Sequence, residues 1–320
     1  MSCWNEAIAS CLILSAQRLQ NDNYHFMISV IIPVYKNKPL FLKNLQHNLQ
    51  FLKDEEIIVV NDNPGTSLKN DLTPYKNVAL IENKKNYGFG KSINIGIRVA
   101  KNRLVMLLNS DVLLQDNEYG LAVDNLEKDR SLFAVGFAQK ETDGRVVGRN
   151  KFFWKNGLFF HLGKDSIEDG RNGWAEGGSC LLDRDKYLSL SGFDPLYAPF
   201  YWEDIDLSYR AWKSGYKVIF NPKIVVEHHH ETTIGKYFPG KFIRTIAFRN
   251  QFLFIWKNIT DPGLVINHFL FLPFNIVYYS FKKEWCFIAG LIWAIQRIGM
   301  IKKQPYKIDD KTIINLFSHE

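Results

Sequence analysis

The chain has 320 residues, of which 46% are hydrophobic and 14% aromatic, enough for a sizeable core in one large domain or in a domain with a substantial appendage. Its formal net charge of +7 suits an anionic partner such as a nucleotide diphosphate or a phospholipid surface. No zinc-knuckle, basic-region or RNA-binding signature accompanies that charge, which argues against nucleic acid, and four scattered cysteines make neither a disulfide framework nor a metal-ligand spacing, so a reducing compartment is expected.

Residues 1–26 read as an N-terminal extension. Ala7 to Ala16 is an apolar run with no Lys or Arg before it, so a short helix is expected there rather than a secretory leader. Met27 directly precedes the first convincing strand and is an alternative start site. Ile28 to Val34 is a continuous β-branched run ended by a turn, the pattern of a strand buried on both faces. Leu40 to Leu52 has helical spacing, Glu56 to Val60 reads as a second buried strand, and Asn61 to Gly65 is the loop at its end. Val78 to Glu82 is a third strand, Asn86 to Gly90 a Gly-rich loop, Ser92 to Ala100 a helix, and Leu104 to Leu108 a fourth strand running into Asn109-Ser110-Asp111. Such alternation predicts an α/β fold with a mostly parallel, doubly wound sheet, whose ligands bind beyond the carboxyl ends of the strands.

Beyond residue 130 the pattern loosens. Phe133 to Phe137 is a candidate strand, residues 140–173 read as loops or a short hairpin, and Trp174 to Leu182 as a strand that opens with small residues. Ile205 to Ser214 is a helix preceded by acids and closed by Gly215. Lys217 to Phe220 and Ile224 to Val226 are two short strands, followed by His228-His229-His230. From residue 241 the chain becomes a helical appendage, with apolar stretches at Leu264 to Phe281 and Trp285 to Ile301 joined by Lys282 and Lys283. Each approaches the length of a bilayer span, but the polar interruptions favour helices lying in the membrane interface over spanning ones or core helices.

The chemistry concentrates in a few places. Asp111 is a carboxylate in the loop after a buried strand, suited to hold Mg or Mn together with a diphosphate, although Asn-Ser-Asp can also merely cap a turn. Glu203 and Asp204 precede a helix whose N-terminus stabilises carboxylates; they read either as a capping cluster or as a general base for a hydroxyl. One of the three histidines is a candidate metal ligand. Gly88 and Gly90 are a weak phosphate-loop signal, because Ile93 stands where the dinucleotide fingerprint has its third glycine.

In order along the chain, these pieces resemble family 2 of the inverting glycosyltransferases, which have the GT-A fold. Val30-Ile31-Ile32-Pro33-Val34-Tyr35 is similar to that family's first strand, and Val59-Val60-Asn61-Asp62-Asn63 to its second. Asn86-Tyr87-Gly88-Phe89-Gly90-Lys91-Ser92-Ile93-Asn94-Ile95-Gly96 is similar to its Asn-x-Gly segment, and Leu107-Leu108-Asn109-Ser110-Asp111 stands where its Asp-x-Asp metal motif belongs, with Asn109 in place of the first Asp. Gly177-Gly178-Ser179, Phe193-Asp194-Pro195 and Trp202 to Arg210 resemble its acceptor and base regions, and Val225-Val226 followed by His228 its late metal-binding strand.

The resemblance implies a catalytic domain over residues 27–240, with a nucleotide-binding half (27–112) and an acceptor-binding half (113–240). It implies a donor site of Pro33, Tyr35, Asp62, Asn86, Gly88, Lys91, Asn94, Asn109, Ser110 and Asp111, with Asp62 facing the base. Asp111 and His228 would hold the cation, Gly177, Gly178, Ser179 and Trp202 would line the acceptor side, and Asp204, with Glu203, would supply the base. The Trp-Glu-Asp-Ile-Asp-Leu-Ser-x-Arg form is similar to rhamnosyltransferase-like enzymes of surface polysaccharide (O-antigen or capsule-type) synthesis. That implies a dTDP-rhamnose or UDP-hexose donor and a glycan or polyprenyl-diphosphate-linked acceptor. It also implies a peripheral position at the cytoplasmic face of the plasma membrane. Two alternatives stand beside it: a non-catalytic nucleotide-sugar or glycan-binding protein with a decayed metal site, which Asn109 favours, and a glycoside hydrolase using paired carboxylates.

Overall fold

The computed structural model describes residues 28–164, 167–228, 235 and 237–318. The readings for residues 1–26, for Met27 and for His229 and His230 lie outside them. The first half alternates as its apolar periodicity dictates: β1 (Ser29–Val34), α1 (Lys38–Asn48), β2 (Glu56–Asn61), α2 (Lys69–Leu72), β3 (Val78–Glu82), α3 (Phe89–Val99) and β4 (Leu104–Leu108). β1, β2 and β4 are buried almost end to end, because helices cover both sheet faces.

The second half comprises β5 (Val112–Leu114), α4 (Tyr119–Lys128), β6 (Leu132–Glu141), β7 (Val146–Val147), β8 (Asn150–Lys155), β9 (Leu158–Gly163), β10 (Gly170–Arg171), β11 (Ser179–Asp183), α5 (Arg184–Ser189), α6 (Glu203–Lys213) and β12 (Lys217–His228). Four helices follow: α7 (Gly240–Asn258), α8 (Pro262–Phe281), α9 (Trp285–Ile295) and α10 (Asp310–Asn315). The main sheet has the order β10-β12-β6-β11-β4-β1-β2-β3, with β5 added to β12 and β7 to β6. Strands β3, β2, β1, β4, β6 and β12 run one way; only β11 and β10 on that path run against them. The sheet is therefore mostly parallel, as in the GT-A fold.

Two local readings change, and the short hairpin allowed for within residues 140–173 is present. The two short strands after Gly215 are one long strand, β12, interrupted by a register shift between Asn221 and Val225. The strand expected from Trp174 begins only at Ser179, because the small residues before it turn toward the site. Residues 150–163 form a β8–β9 hairpin through the two-residue turn Asn156-Gly157, both at positive φ, which is the geometry that matches strand twist.

α7 is a core helix: Phe252, Leu253, Phe254 and Ile255 join the same buried cluster as Ile31 of β1 and Phe317 beyond α10. It also closes a buried ionic knot on α6. Asp206, with no exposed surface, accepts from Arg210 Nε at 2.7 Å, Lys257 Nζ at 2.9 Å, Tyr197 Oη at 2.8 Å and Asn258 Nδ2 at 2.8 Å. Burial alone would raise the Asp206 pKa, but the charges of Arg210 and Lys257 outweigh it and hold the carboxyl well below the usual range. A second knot joins Lys213 Nζ to Asp310 Oδ1 at 2.6 Å, with Tyr209 Oη and the Thr260 and Asp261 amides on the same carboxylate.

A buried ion pair that loses one partner leaves an uncompensated charge, so Lys257→Met is expected to cost about 3–5 kcal/mol in urea unfolding. The folded Asp206 pKa lies below the unfolded value of about 3.9. Its contribution is therefore complete above that pH and fades as pH falls through the folded value. Wild-type stability should accordingly drop below about pH 4, with a flatter acid limb in Lys257→Met.

Candidate active site

The donor side forms where β1 and β2 end. A cavity of about 290 Å³ opens there, lined by Tyr35, Lys36, Asn61, Asn63, Leu68 and Tyr237 among others. Pro33 sits opposite Val60 in the β1–β2 ladder, and Tyr35 follows it into the cavity wall. The Lys36 ammonium stands 3.8 Å from the Tyr237 ring centroid, at the cavity rim.

Asp62 follows β2, nearly buried, and its carboxylate shapes the next loop. Oδ1 accepts from Asn83 Nδ2 and the Tyr87 amide, both at 2.8 Å, and Oδ2 from the Gly88 amide at 2.7 Å. Burial nevertheless leaves its pKa above the ordinary value. In this arrangement Asp62 organises the Asn86–Gly88 turn rather than reaching into open space. Asn86 Oδ1 accepts from the Gly88 amide at 2.9 Å. Lys91 lies 3.9 Å from the Tyr87 ring, its pKa lowered by burial and then by the charge of Lys85. Asn94, read as a donor contact, is engaged within the protein. Its amide donates to Phe193 O at 2.8 Å and accepts from Tyr187 Oη at 2.7 Å, bracing α3 against the loop after α5.

β4 delivers Asn109, Ser110 and Asp111 to the same edge. The Asn109 amide donates to Gly178 O at 2.9 Å, and Ser110 O accepts from Asn44 Nδ2 at 3.0 Å. β5 then pairs antiparallel with β12, so that Val112 faces His228. This register brings His228 Nε2 to 3.4 Å from Asp111 Oδ1. The other ring nitrogen, Nδ1, is 2.6 Å from Gln139 Oε1, an atom that only accepts. An Nδ1–H donated to Gln139 orients the ring so that Nε2 is the nitrogen on the side of Asp111, where a cation would bind. No group of three or more His, Cys, Asp or Glu positioned for a metal occurs among the described residues. One carboxylate and one oriented imidazole fit a cation that takes its remaining ligands from phosphate oxygens and water.

The acid helix α6 enters through a left-handed turn, with Tyr201 at φ 70° and Trp202 at φ 75°. Non-glycine residues there are strained and need support. Asn250 of α7, fully buried, supplies it: Nδ2 donates to the carbonyls of Tyr197, Phe200 and Tyr201 at 3.0, 3.0 and 2.8 Å. Asp204 Oδ2 then meets the Gly177 amide at 3.4 Å, and Oδ1 the Ile205 amide at 2.9 Å. Burial raises the Asp204 pKa over these bonds. Glu203 is pushed up to about 8 by burial and by the charge of Asp204, and its buried Oε2 has no hydrogen-bond partner among the described residues.

Sequence reasoning missed a third carboxyl. Glu176 accepts from Asn150 Nδ2 at 3.0 Å, and burial followed by the charge of Asp204 pushes it up to about 7, while His228 acts in the opposite direction. A lone acid in the run Trp174-Ala175-Glu176-Gly177-Gly178 was its signal. Gln139, a polar residue within the apolar run of β6, was missed in the same way.

Two acceptor-side readings need correction. Trp202 is buried, its ring against His161 and Phe254, because the left-handed turn aims it into the core. Ser179 is fully buried inside β11. Gly177 and Gly178 do belong to the site, as the seam between its halves: Gly177 binds Asp204, and Gly178 binds Asn109. A Cβ on Gly178 would lie 2.3 Å from Asn109 Nδ2, so any other residue here would displace the Asn109 side chain.

Residues 29–187 match the model of the family described as glycosyl transferase family 2. A dolichyl-phosphate beta-glucosyltransferase of Trichomonas vaginalis is 23% identical over 199 residues, covering 54% of this chain and 61% of that protein. An N-acetylglucosaminyl-diphospho-decaprenol L-rhamnosyltransferase of Mycobacterium tuberculosis is 24% identical over 191 residues, covering 51% and 62%. The chain thus spans about three-fifths of the length of these curated relatives. Among solved structures, S. aureus TarS 1-349 in complex with UDP-GlcNAc superposes with a TM-score of 0.57 at 16% identity, over 86% of this chain and 84% of that one. GalNAc-T7 with UDP, GalNAc and Mn2+ gives 0.57 at 17% identity, over 75% and 49%. At such identities the superpositions establish the GT-A fold alone. The family match thus identifies residues 29–187, about half of the chain, as a glycosyltransferase family 2 domain, and the superpositions agree with it in fold.

Proposed function

We propose that the chain is an inverting glycosyltransferase that moves a sugar from a nucleotide diphosphate to a hydroxyl group. The observation that carries this reading is the seam at Gly177-Gly178, which sets the Asp111–His228 pair and the Glu203–Asp204 acids at one strand edge. The acceptor oxygen attacks the anomeric carbon as the bond to the diphosphate oxygen breaks, and the hydroxyl proton passes to Asp204. Asp111 and His228 would hold a divalent cation, Mg or Mn, whose charge offsets that developing on the departing diphosphate. The cavity at the ends of β1 and β2 would take the nucleoside, with Tyr35 in its wall. The hydrolase alternative gains nothing from such a cavity. The decayed-site alternative is weakened by Gln139, which orients the His228 ring with Nε2 toward Asp111.

The relatives' names extend the proposal. An acceptor on a polyprenyl or dolichyl carrier fits both curated relatives, so a lipid-linked acceptor and surface polysaccharide synthesis at the inner face of the plasma membrane are proposed here. dTDP-rhamnose is the first donor to test and a UDP-hexose the second.

A thermal-shift screen of these donors with and without Mn is expected to show stabilisation that depends on both, since a ligand bound only by the folded state raises its stability. Asp204→Asn should keep that shift and lose at least about a hundredfold in transfer; near-normal turnover would remove Asp204 as the base. Because burial raises the Asp204 pKa and only the ionised form accepts a proton, wild-type turnover should rise with pH from the acid side. Gly178→Ala drives a methyl group into Asn109. We expect about 1–3 kcal/mol less stability in denaturant, together with a smaller Mn-dependent shift.

A further inference from the structure

α8 is built inside out. Of its 20 residues only His268 and Asn275 are buried, and both are polar. They face the catalytic domain, where the tip of the β8–β9 hairpin meets them. Asn275 Nδ2 donates to Asn156 O at 2.8 Å, and His268 Nδ1 lies 2.6 Å from Gly157 O. Immediately before His268, Asn267 Oδ1 accepts from Trp154 Nε1 at 2.8 Å. The hairpin approaches so closely that a Cβ on Gly157 would lie 2.6 Å from Phe271 Cβ. The opposite side of the helix is apolar and uncovered: Phe269, Leu270, Phe274, Val277, Phe281 and, at the start of α9, Trp285 are all more than half exposed.

A helix in water places its polar residues outward. This one reserves them for hydrogen bonds to the protein and presents phenylalanines to the surroundings. The basic residues Lys282 and Lys283, directly after Phe281 and before Trp285, are exposed, as are Lys302 and Lys303 beyond α9, and the neighbouring Glu284 is neutralised by Arg244. From this arrangement we infer that the outer face of α8 and α9 is a seat in one leaflet of an anionic bilayer, with the helices lying in the membrane plane. The lysines meet the phosphate groups and the phenylalanines enter the acyl boundary.

Two other occupants fit less well. A second copy of the chain, meeting through the same face, would bring two identical sets of lysines together. Spanning needs the helix to leave the protein, and α8 is long enough for that at about 30 Å. Yet its anchors at 267, 268 and 275 bind it lengthwise along the hairpin.

This inference rests on the membrane placement proposed above, and turns a location into an orientation. It is independent of the sugar-transfer reading. The hairpin also supplies a path inward, because Asn150 on β8 binds Glu176 and His161 on β9 packs edge-on against Trp174 and Trp202. The seat and the carboxyl of Glu176 thus share one hairpin.

The test is co-sedimentation of the full chain with vesicles of phosphatidylglycerol and phosphatidylcholine, and with phosphatidylcholine alone. A combined Phe269→Ser, Phe274→Ser, Phe281→Ser variant and a Lys282→Gln, Lys283→Gln variant are compared with the parent. Expected are binding to the anionic vesicles, a loss of at least about tenfold in each variant, and unchanged melting in detergent-free buffer. Tryptophan quenching by lipids brominated near the headgroup end of the chain should be strong and should fall in Trp285→Phe. Binding that survives the triple substitution would overturn this seat while leaving the membrane placement standing. Absence of binding by the parent chain would remove both. Quenching that is stronger from bromines at the bilayer centre would indicate spanning, and sedimentation of the parent alone as a dimer that the triple variant abolishes would assign the face to a second copy; either result overturns the seat.

Discussion

The position of the acid helix depends on one buried carboxylate. Asp206 lies one turn from Glu203 and Asp204, and its two oxygens collect Arg210 from the same helix, Lys257 and Asn258 from α7, and the Tyr197 hydroxyl from the preceding loop. Each partner approaches from a different element, so the direction of α6 is determined by charge pairing rather than by apolar packing alone. Such a knot costs desolvation and repays it through geometry. The geometry gained here is the placement of two neighbouring acids that have very few favourable bonds of their own. Stability is concentrated behind the site, and the groups facing the cleft are left electrostatically strained.

That division suits a reaction in which charge moves. On the donor side the fold supplies oriented neutral dipoles: the Asn86 turn, the Asn109 amide and the Gln139-held imidazole. On the acceptor side it supplies carboxyls raised by burial, namely Glu176, Glu203 and Asp204. Two glycines without side chains keep the halves in contact. Asn109 belongs to this logic as well, since its side chain occupies the space that Gly178 vacates.

Much of the first half was legible because parallel strands buried on both faces read as uninterrupted apolar runs, and β1, β2 and β4 do so. Asp111 and His228 were legible through their strand ends, although the short β5 that brings them together was not. The second half hid more. The hairpin at residues 150–163 was legible only as one of two readings of a polar stretch, because its Asn156-Gly157 turn was not singled out. Asn250 and Lys257 were invisible as site supports, because their partners lie about fifty residues earlier and no periodicity links them. Trp202 misled for a physical reason: an aromatic beside acids suggests a sugar platform, but its positive φ turns the ring inward. Asn94 was ambiguous in a related way, since an amide in a Gly-rich segment is as useful for bracing a helix as for holding a ligand.

The register shift in β12 has a further consequence. Asn221 pairs with Phe137 and Val225 with Ala138, so Pro222, Lys223 and Ile224 are three residues with no counterpart on β6. Successive side chains on a strand point to opposite faces. An odd number of extra residues therefore exchanges the faces of everything that follows, and His228 reaches Asp111 only after that exchange. What the site demands of this segment is that the pairing beyond the bulge be kept: a slip of one residue against β5 and β6 would turn the imidazole to the other side of the sheet and put Glu227 in its place.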